Sequence, residues 1–332
     1  MGARATPSVL AGDIGGTKTI LSLYDRGGGR PEPLAKQKFP SADFPNLTEL
    51  VRQFLEQHGA RVERACFGIA GPVQDDRVEA TNLPWVIEAR AMERELSIER
   101  VVLLNDFHTV AYGIERLAPS ELLSLNPGAR APRGPKAILG AGTGLGEAFL
   151  FWTGGRYEVV ASEGGHADFA PRSAIEIELL QDLIARFGRV SYERVLSGPG
   201  LANLYDFLRR REPERESAEL RAALERSDDP APIISEFGLA GRDPLAEQTL
   251  DLFAAVYGAE AGNLALKVVA TGGVYVAGGI APRIQAKLKQ GAFQDAYRSK
   301  GRLSDLVRAI PVDLVLNPEV GLLGAALIAS RE

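Results

Sequence analysis

Two glycine-rich turns of the same build, each set between apolar β-like runs, constrain this chain more than any other feature. The first lies in Val9-Leu10-Ala11-Gly12-Asp13-Ile14-Gly15-Gly16-Thr17-Lys18-Thr19-Ile20-Leu21. The second lies in Ala137-Ile138-Leu139-Gly140-Ala141-Gly142-Thr143-Gly144-Leu145-Gly146-Glu147-Ala148-Phe149. Glycine accepts positive φ and lets backbone N–H groups approach an anion closely, so each turn can wrap a phosphate. Their repetition predicts two half-molecules that grip one polyphosphate from opposite sides.

The length of 332 residues accommodates two domains with a large core. A net charge of −5 and the absence of a basic run give no reason to expect a nucleic-acid surface. Cys66 is the only cysteine, which excludes an intrachain disulfide and a cysteine-based metal cluster. In Ala65-Cys66-Phe67-Gly68-Ile69-Ala70 it reads as a small core hydrophobe, compatible with a reducing compartment. No run of ~18 uncharged apolar residues suggests a membrane span. The opening Met1-Gly2-Ala3-Arg4-Ala5-Thr6 fits the permissive myristoylation pattern but reads as a short tail, so the cytoplasm is the expected location.

Hydrophobic periodicity predicts hairpin strands over 9–13 and 18–24, a third strand near 34–39, and a helix over 47–58 stopped by Gly59. Buried strands follow at 65–70 and 101–104, with a helix at 89–96 between them. The cycle restarts near Arg116, and the 137–152 hairpin resembles the opening one, as an internal duplication would. Helices are expected at 173–187, 201–210, 245–269 and 321–330, with a short apolar run at 274–277. The charged stretch 211–232 reads as a solvated helix or loop. Alternating strands and helices predict an α/β chain.

Standard nucleotide motifs fail. Lys18 follows Thr17 rather than a glycine, and Leu145 stands where a dinucleotide fingerprint needs its last glycine. Asp13 sits just before the first turn, where it either bonds turn amides or faces a phosphate through Mg²⁺. Asn105 and Asp106 follow a buried strand, in α/β sheets the end that faces ligand, and either one could instead cap a helix starting near His108. Glu163-Gly164-Gly165-His166 is a tight bend that can aim a carboxylate and an imidazole at one small molecule. With Asn82 and Glu193 these residues form a set suited to binding a polyol. A zinc site built on the three histidines, His58, His108 and His166, is a weaker alternative.

In their shared order, these motifs resemble the bacterial ATP-dependent glucokinases of the hexokinase–actin–heat-shock-protein superfamily. The resemblance is carried by Gly12-Asp13-Ile14-Gly15-Gly16-Thr17, Ala70-Gly71-Pro72-Val73 with Thr81-Asn82-Leu83-Pro84-Trp85, and Leu104-Asn105-Asp106-Phe107. It continues through Gly140-Ala141-Gly142-Thr143-Gly144-Leu145-Gly146, Glu163-Gly164-Gly165-His166, Glu193-Arg194-Val195-Leu196-Ser197-Gly198 and Val276-Ala277-Gly278-Gly279-Ile280. Lys18 stands where this group more often has Asn.

The resemblance implies an actin-like, ribonuclease H-like α/β fold with a cleft between a small domain (1–115 plus 313–332) and a large one (116–312). It implies phosphoryl transfer from ATP to the 6-hydroxyl of glucose, with Asp106 as base. Asn82, Asn105, Glu163, His166 and Glu193 would hold the sugar. Asp13, Gly15, Gly16, Thr17, Lys18, Gly142, Thr143, Gly144, Gly278 and Gly279 would bind ATP, with Mg²⁺ near Asp13 through water. A homodimer is implied too. A kinase of another hexose, or a non-catalytic sugar sensor, is the competing expectation.

Overall fold

Both glycine turns are hairpins, and each seeds a sheet of its own. The computed structural model describes residues 8–26, 29–81 and 83–331. The tail expected at 1–6, two residues of the 27–29 glycine run and Asn82 lie outside the described residues. The chain divides into two units, Met1–Pro119 with Asn317–Glu332, and Ser120–Leu316.

In the first unit the strand order is Pro33–Pro40, Lys18–Asp25, Ser8–Ile14, Arg64–Ile69, Arg100–Asn105. The first three pair antiparallel, and Ser8–Ile14 then runs parallel to Arg64–Ile69, which runs parallel to Arg100–Asn105. Successive side chains on a strand point to opposite faces, and both faces here are apolar. Leu10, Leu21, Phe67 and Leu103 pack with Leu50, Val51 and Phe54 of helix Leu47–Gln57. On the other face Val9, Ala11 and Cys66 pack with Leu322, Leu323 and Ala326 of helix Val320–Ala329. That last helix is apolar all round because it is covered on nearly every side. A small antiparallel sheet, Val73–Gln74, Arg77–Glu79 and Val86–Glu88, completes the unit.

The second unit repeats the plan. Its order is Tyr157–Ser162, Leu145–Trp152, Lys136–Ala141, Gly273–Ala277, Val312–Val315, Leu122–Asn126. The first five strands have the same order and the same parallel or antiparallel sense as the first sheet, and Leu122–Asn126 is added antiparallel at the edge. The long helix Pro244–Val268 packs on this sheet. Its Tyr257 hydroxyl accepts from the Ala141 N–H (2.9 Å) and lies 3.3 Å from the Ala277 carbonyl, tying the ends of two neighbouring strands.

Several elements depart from expectation for local reasons. The helix expected near His108 starts at Asp106, because the Asn105 side chain accepts from the Phe107 N–H (2.9 Å). The helix expected from 201 starts at Gly198, since Ser197 caps it and Pro199 fits its first turn. The stretch 211–232 is partly packed rather than wholly solvated: it holds helix Ala218–Leu224, with Leu220 buried and the Ser217 N–H donating to Asp243 (2.8 Å). Among the described residues no helix is long and apolar enough to cross a membrane.

Candidate active site

In the first unit, the strand ends present the first glycine turn and Asp106 on the same side of the sheet. Gly15 N–H donates to the Lys18 carbonyl (3.0 Å), closing the turn, while Thr17 and Lys18 are exposed. Ser41, fully buried, braces this turn from behind. Its hydroxyl donates to the Gly15 carbonyl (2.7 Å) and its N–H to the Thr17 carbonyl (3.1 Å). Nothing in the spacing of the motif pointed to Ser41, since it arrives from the far end of the third strand.

Asp13 pairs in register with Gly68, and Gly68 with Leu104, so the Asn105-Asp106 step lies two strands away. A side chain on Gly68 would collide with Thr109 of the helix Asp106–Gly113, its Cβ falling 2.6 Å from the Thr109 hydroxyl. The glycine therefore lets that helix sit close to the sheet and brings Asp106 within electrostatic reach of Asp13. The Asp13 carboxyl is pushed up to about 6, first by burial and then by the negative charge of Asp106, with Lys18 opposing. Asp106 Oδ1 accepts from the Phe107 N–H (2.8 Å), in the first turn of its helix. Asn105 caps that helix with Oδ1 and donates through Nδ2 to the Gly71 carbonyl (3.2 Å), so its capping role is realised.

The two carboxylates offer hard oxygens and negative charge beside a glycine turn whose Thr17 and Lys18 are exposed, which suits a divalent cation shared with phosphate. Asp13 and Asp106 are the residues that could hold one. Among the described residues no group of three His, Cys, Asp or Glu forms a protein-only metal cage, so such a cation would complete its shell with water and phosphate oxygens.

In the second unit, one carboxylate joins two of the expected motifs. Glu193 Oε2 accepts from the Leu145 N–H (2.9 Å), at the end of the second glycine turn, and Glu193 Oε1 lies 3.9 Å from His166 Nδ1. Gly142 N–H closes the turn onto the Gly144 carbonyl (2.8 Å), and Gly198 N–H donates to the Gly142 carbonyl (2.8 Å). Thr143 is exposed at the tip. The Glu163–His166 bend is a single 3₁₀ turn, with His166 N–H donating to the Glu163 carbonyl (2.9 Å), and both of those side chains reach solvent. Gly278, with φ of 84°, and Gly279 follow strand Gly273–Ala277. The Ile280 N–H donates to the Ala141 carbonyl (3.2 Å), which sets this loop against the second turn. Within this unit the structure thus brings together Gly142, Thr143, Gly144, Glu193 and His166, with Gly278 beside them. Glu147 and Glu260, buried under the same region, were not anticipated; the signal available was a lone acid in an otherwise apolar strand, and another mid-way along an apolar helix.

Comparison with known proteins shows the family over nearly the whole chain. The glucokinase family model matches residues 10–332. A glucokinase of Synechocystis sp. is 46% identical over 355 residues, covering 100% of both chains. One from Nostoc punctiforme is 45% identical over 337 residues, covering 97% of this chain and 99% of that protein. Among solved structures, a glucokinase from an Antarctic psychrotroph superposes with a TM-score of 0.86 at 31% identity, covering 98% of this chain and 99% of that one. The fold is the two-domain actin-like one, and the two glycine hairpins, Asp106 and the Glu163–His166 bend stand in a chain that belongs to the glucokinase family.

Proposed function

We propose that this chain transfers the γ-phosphoryl group of ATP to the 6-hydroxyl of glucose, giving glucose 6-phosphate and ADP. Family membership supports a sugar kinase, and the observation that carries the chemistry is Asp106 at the end of its strand, within reach of the charge on Asp13. Asp106 would accept the hydroxyl proton as the sugar oxygen attacks. Asn82, Asn105, Glu163, His166 and Glu193 would hold the ring hydroxyls and so orient the attacking oxygen. Backbone N–H groups at Gly16, Thr17 and Lys18, and at Thr143 and Gly144, would meet phosphate oxygens, while Gly15 and Gly142 close the two turns and Gly278 and Gly279 stand beside the adenosine. When bound near Asp13, Mg²⁺ supplies charge neutralisation on the phosphates.

We further place the protein in the cytoplasm, where ATP is available and the buried thiol of Cys66 stays reduced, feeding glycolysis as a homodimer. The deciding experiment is a coupled ADP-release assay with glucose, fructose, mannose and N-acetylglucosamine at equal concentrations. Glucose should give the highest kcat/KM. A higher value for another hexose transfers the reading to that sugar, and sugar binding with no ADP release turns the protein into a sensor.

A further inference from the structure

Beneath the Glu163–His166 bend lies a carboxyl group that the proposed chemistry does not use. Glu147 is on strand Leu145–Trp152, three residues past the last turn glycine, Gly144, and is 2% exposed. Neither of its oxygens has a hydrogen-bond partner. Its register neighbours are Leu139 on one side and Ser162 on the other. Oε2 rests against the backbone of the bend, since a Cβ built on Gly164 would fall 1.9 Å from it. Ser162, which faces Glu147, accepts from the Gly164 N–H through its hydroxyl (3.0 Å). The bend is therefore seated on Glu147 and tethered beside it.

From helix Pro244–Val268 come Glu260, Lys267 and Tyr257, which are the titratable groups that act on Glu147. Glu260 has the donors that Glu147 lacks. Asn263 Nδ2 donates to it (2.8 Å), Lys267 Nζ lies 3.4 Å away, and the Tyr192 hydroxyl also bonds it. Lys300 Nζ donates to the Asn263 side chain (2.6 Å) and stands behind the same cluster. A buried carboxyl without donors is held in its neutral form. Burial and the Glu260 charge together push the Glu147 carboxyl up to about 8, with Lys267 opposing.

We propose that Glu147, as a neutral acid, is a positioning residue for the Glu163–His166 bend, and that loss of its proton unseats the bend and weakens the hold on hexose. An ionised carboxylate there would need donors from water, the Ser162 hydroxyl that tethers the bend, or the bend's own backbone, and recruiting any of them disturbs the seat of the bend. This inference rests on the assignment of the bend to sugar binding.

The test is the pH profile of glucose kinetics from pH 7 to 9 for the native enzyme and for Glu147→Gln, which keeps the shape but has no proton to lose. In the native enzyme KM for glucose should rise about tenfold by pH 9, as the competent fraction falls, while kcat at saturating glucose holds. Glu147→Gln should abolish the rise. A flat native profile overturns the proposal. So does a rise retained in the variant, which would point to Lys300, held down to about 8 by burial and the neighbouring Arg172 charge.

A second readout does not depend on the variant folding. Hydrogen exchange in the native protein should show the His166 and Ala167 amides losing protection through the same pH range relative to strand Lys136–Ala141. A constant ratio overturns the proposal. If no hexose is phosphorylated at any pH, the functional assignment fails while hydrogen exchange still reports on Glu147.

Discussion

Asp13 and Asp106 share one electrostatic environment, and substitutions separate them. Asp106→Asn removes the proposed proton acceptor without removing volume, so turnover should fall ~100-fold or more while glucose binding changes little. Steady-state kinetics with a glucose titration checks this, and near-normal turnover would remove Asp106 from its role. Asp13→Asn acts in the opposite sense on stability. A carboxyl raised from 3.8 to about 6 binds its proton more tightly in the folded than in the unfolded state, so its ionisation works against folding as pH rises through that window. At pH 7.5 and without ligand, Asp13→Asn should therefore stabilise by up to about 3 kcal/mol, with the gain fading as pH falls below about 6 and gone below about 4. Melting curves across pH measure it, and equal midpoints at pH 7.5 would refute it. Asp13 and Asp106 were legible in the sequence because each ends an apolar run. Their mutual repulsion was not, because the two positions are far apart in the chain and meet only across the sheet.

At the scale of elements, helix Gly198–Arg211 shows how a cap serves a site. The Ser197 hydroxyl accepts from the Gly200 N–H (2.9 Å) and donates to the Glu193 carbonyl (2.7 Å), so one side chain starts the helix and fixes the preceding turn. Ser197→Ala should cost about 1 kcal/mol, or about 2–4 °C in Tm, and should raise KM for glucose several-fold through the freed Glu193. An unchanged KM would detach the cap from the site. Helix Leu47–Gln57 and helix Ala89–Leu96 lie where periodicity predicts them, since their apolar stripes have one face to bury. The strands Val73–Gln74 and Leu122–Asn126 were not legible, because strands this short or this near an edge depend on the partner they pair with.

At the scale of the molecule, the chain's last segment completes its first unit. Helix Val320–Ala329 covers Val9, Ala11 and Cys66, and burial both hides the Cys66 thiol and pushes its ionisation far up. The 332-residue chain should resist a thiol reagent, whereas a chain ending at Leu316 should be labelled stoichiometrically and lose the cooperative melting of that unit. Slow labelling of the shortened chain would show that the sheet holds without the helix.

The sequence by itself determined the two glycine hairpins, the α/β alternation and the order of the motifs, because each is written in neighbouring residues whose conformational preferences and hydrophobic period act locally. Only the tertiary structure decided that Gly68 lets Asp106 approach Asp13, that Glu193 bonds the second turn, and that Glu147 lies unpartnered under Gly164. Those outcomes depend on the electrostatics and close packing of residues brought together from distant parts of the chain, which no local pattern encodes.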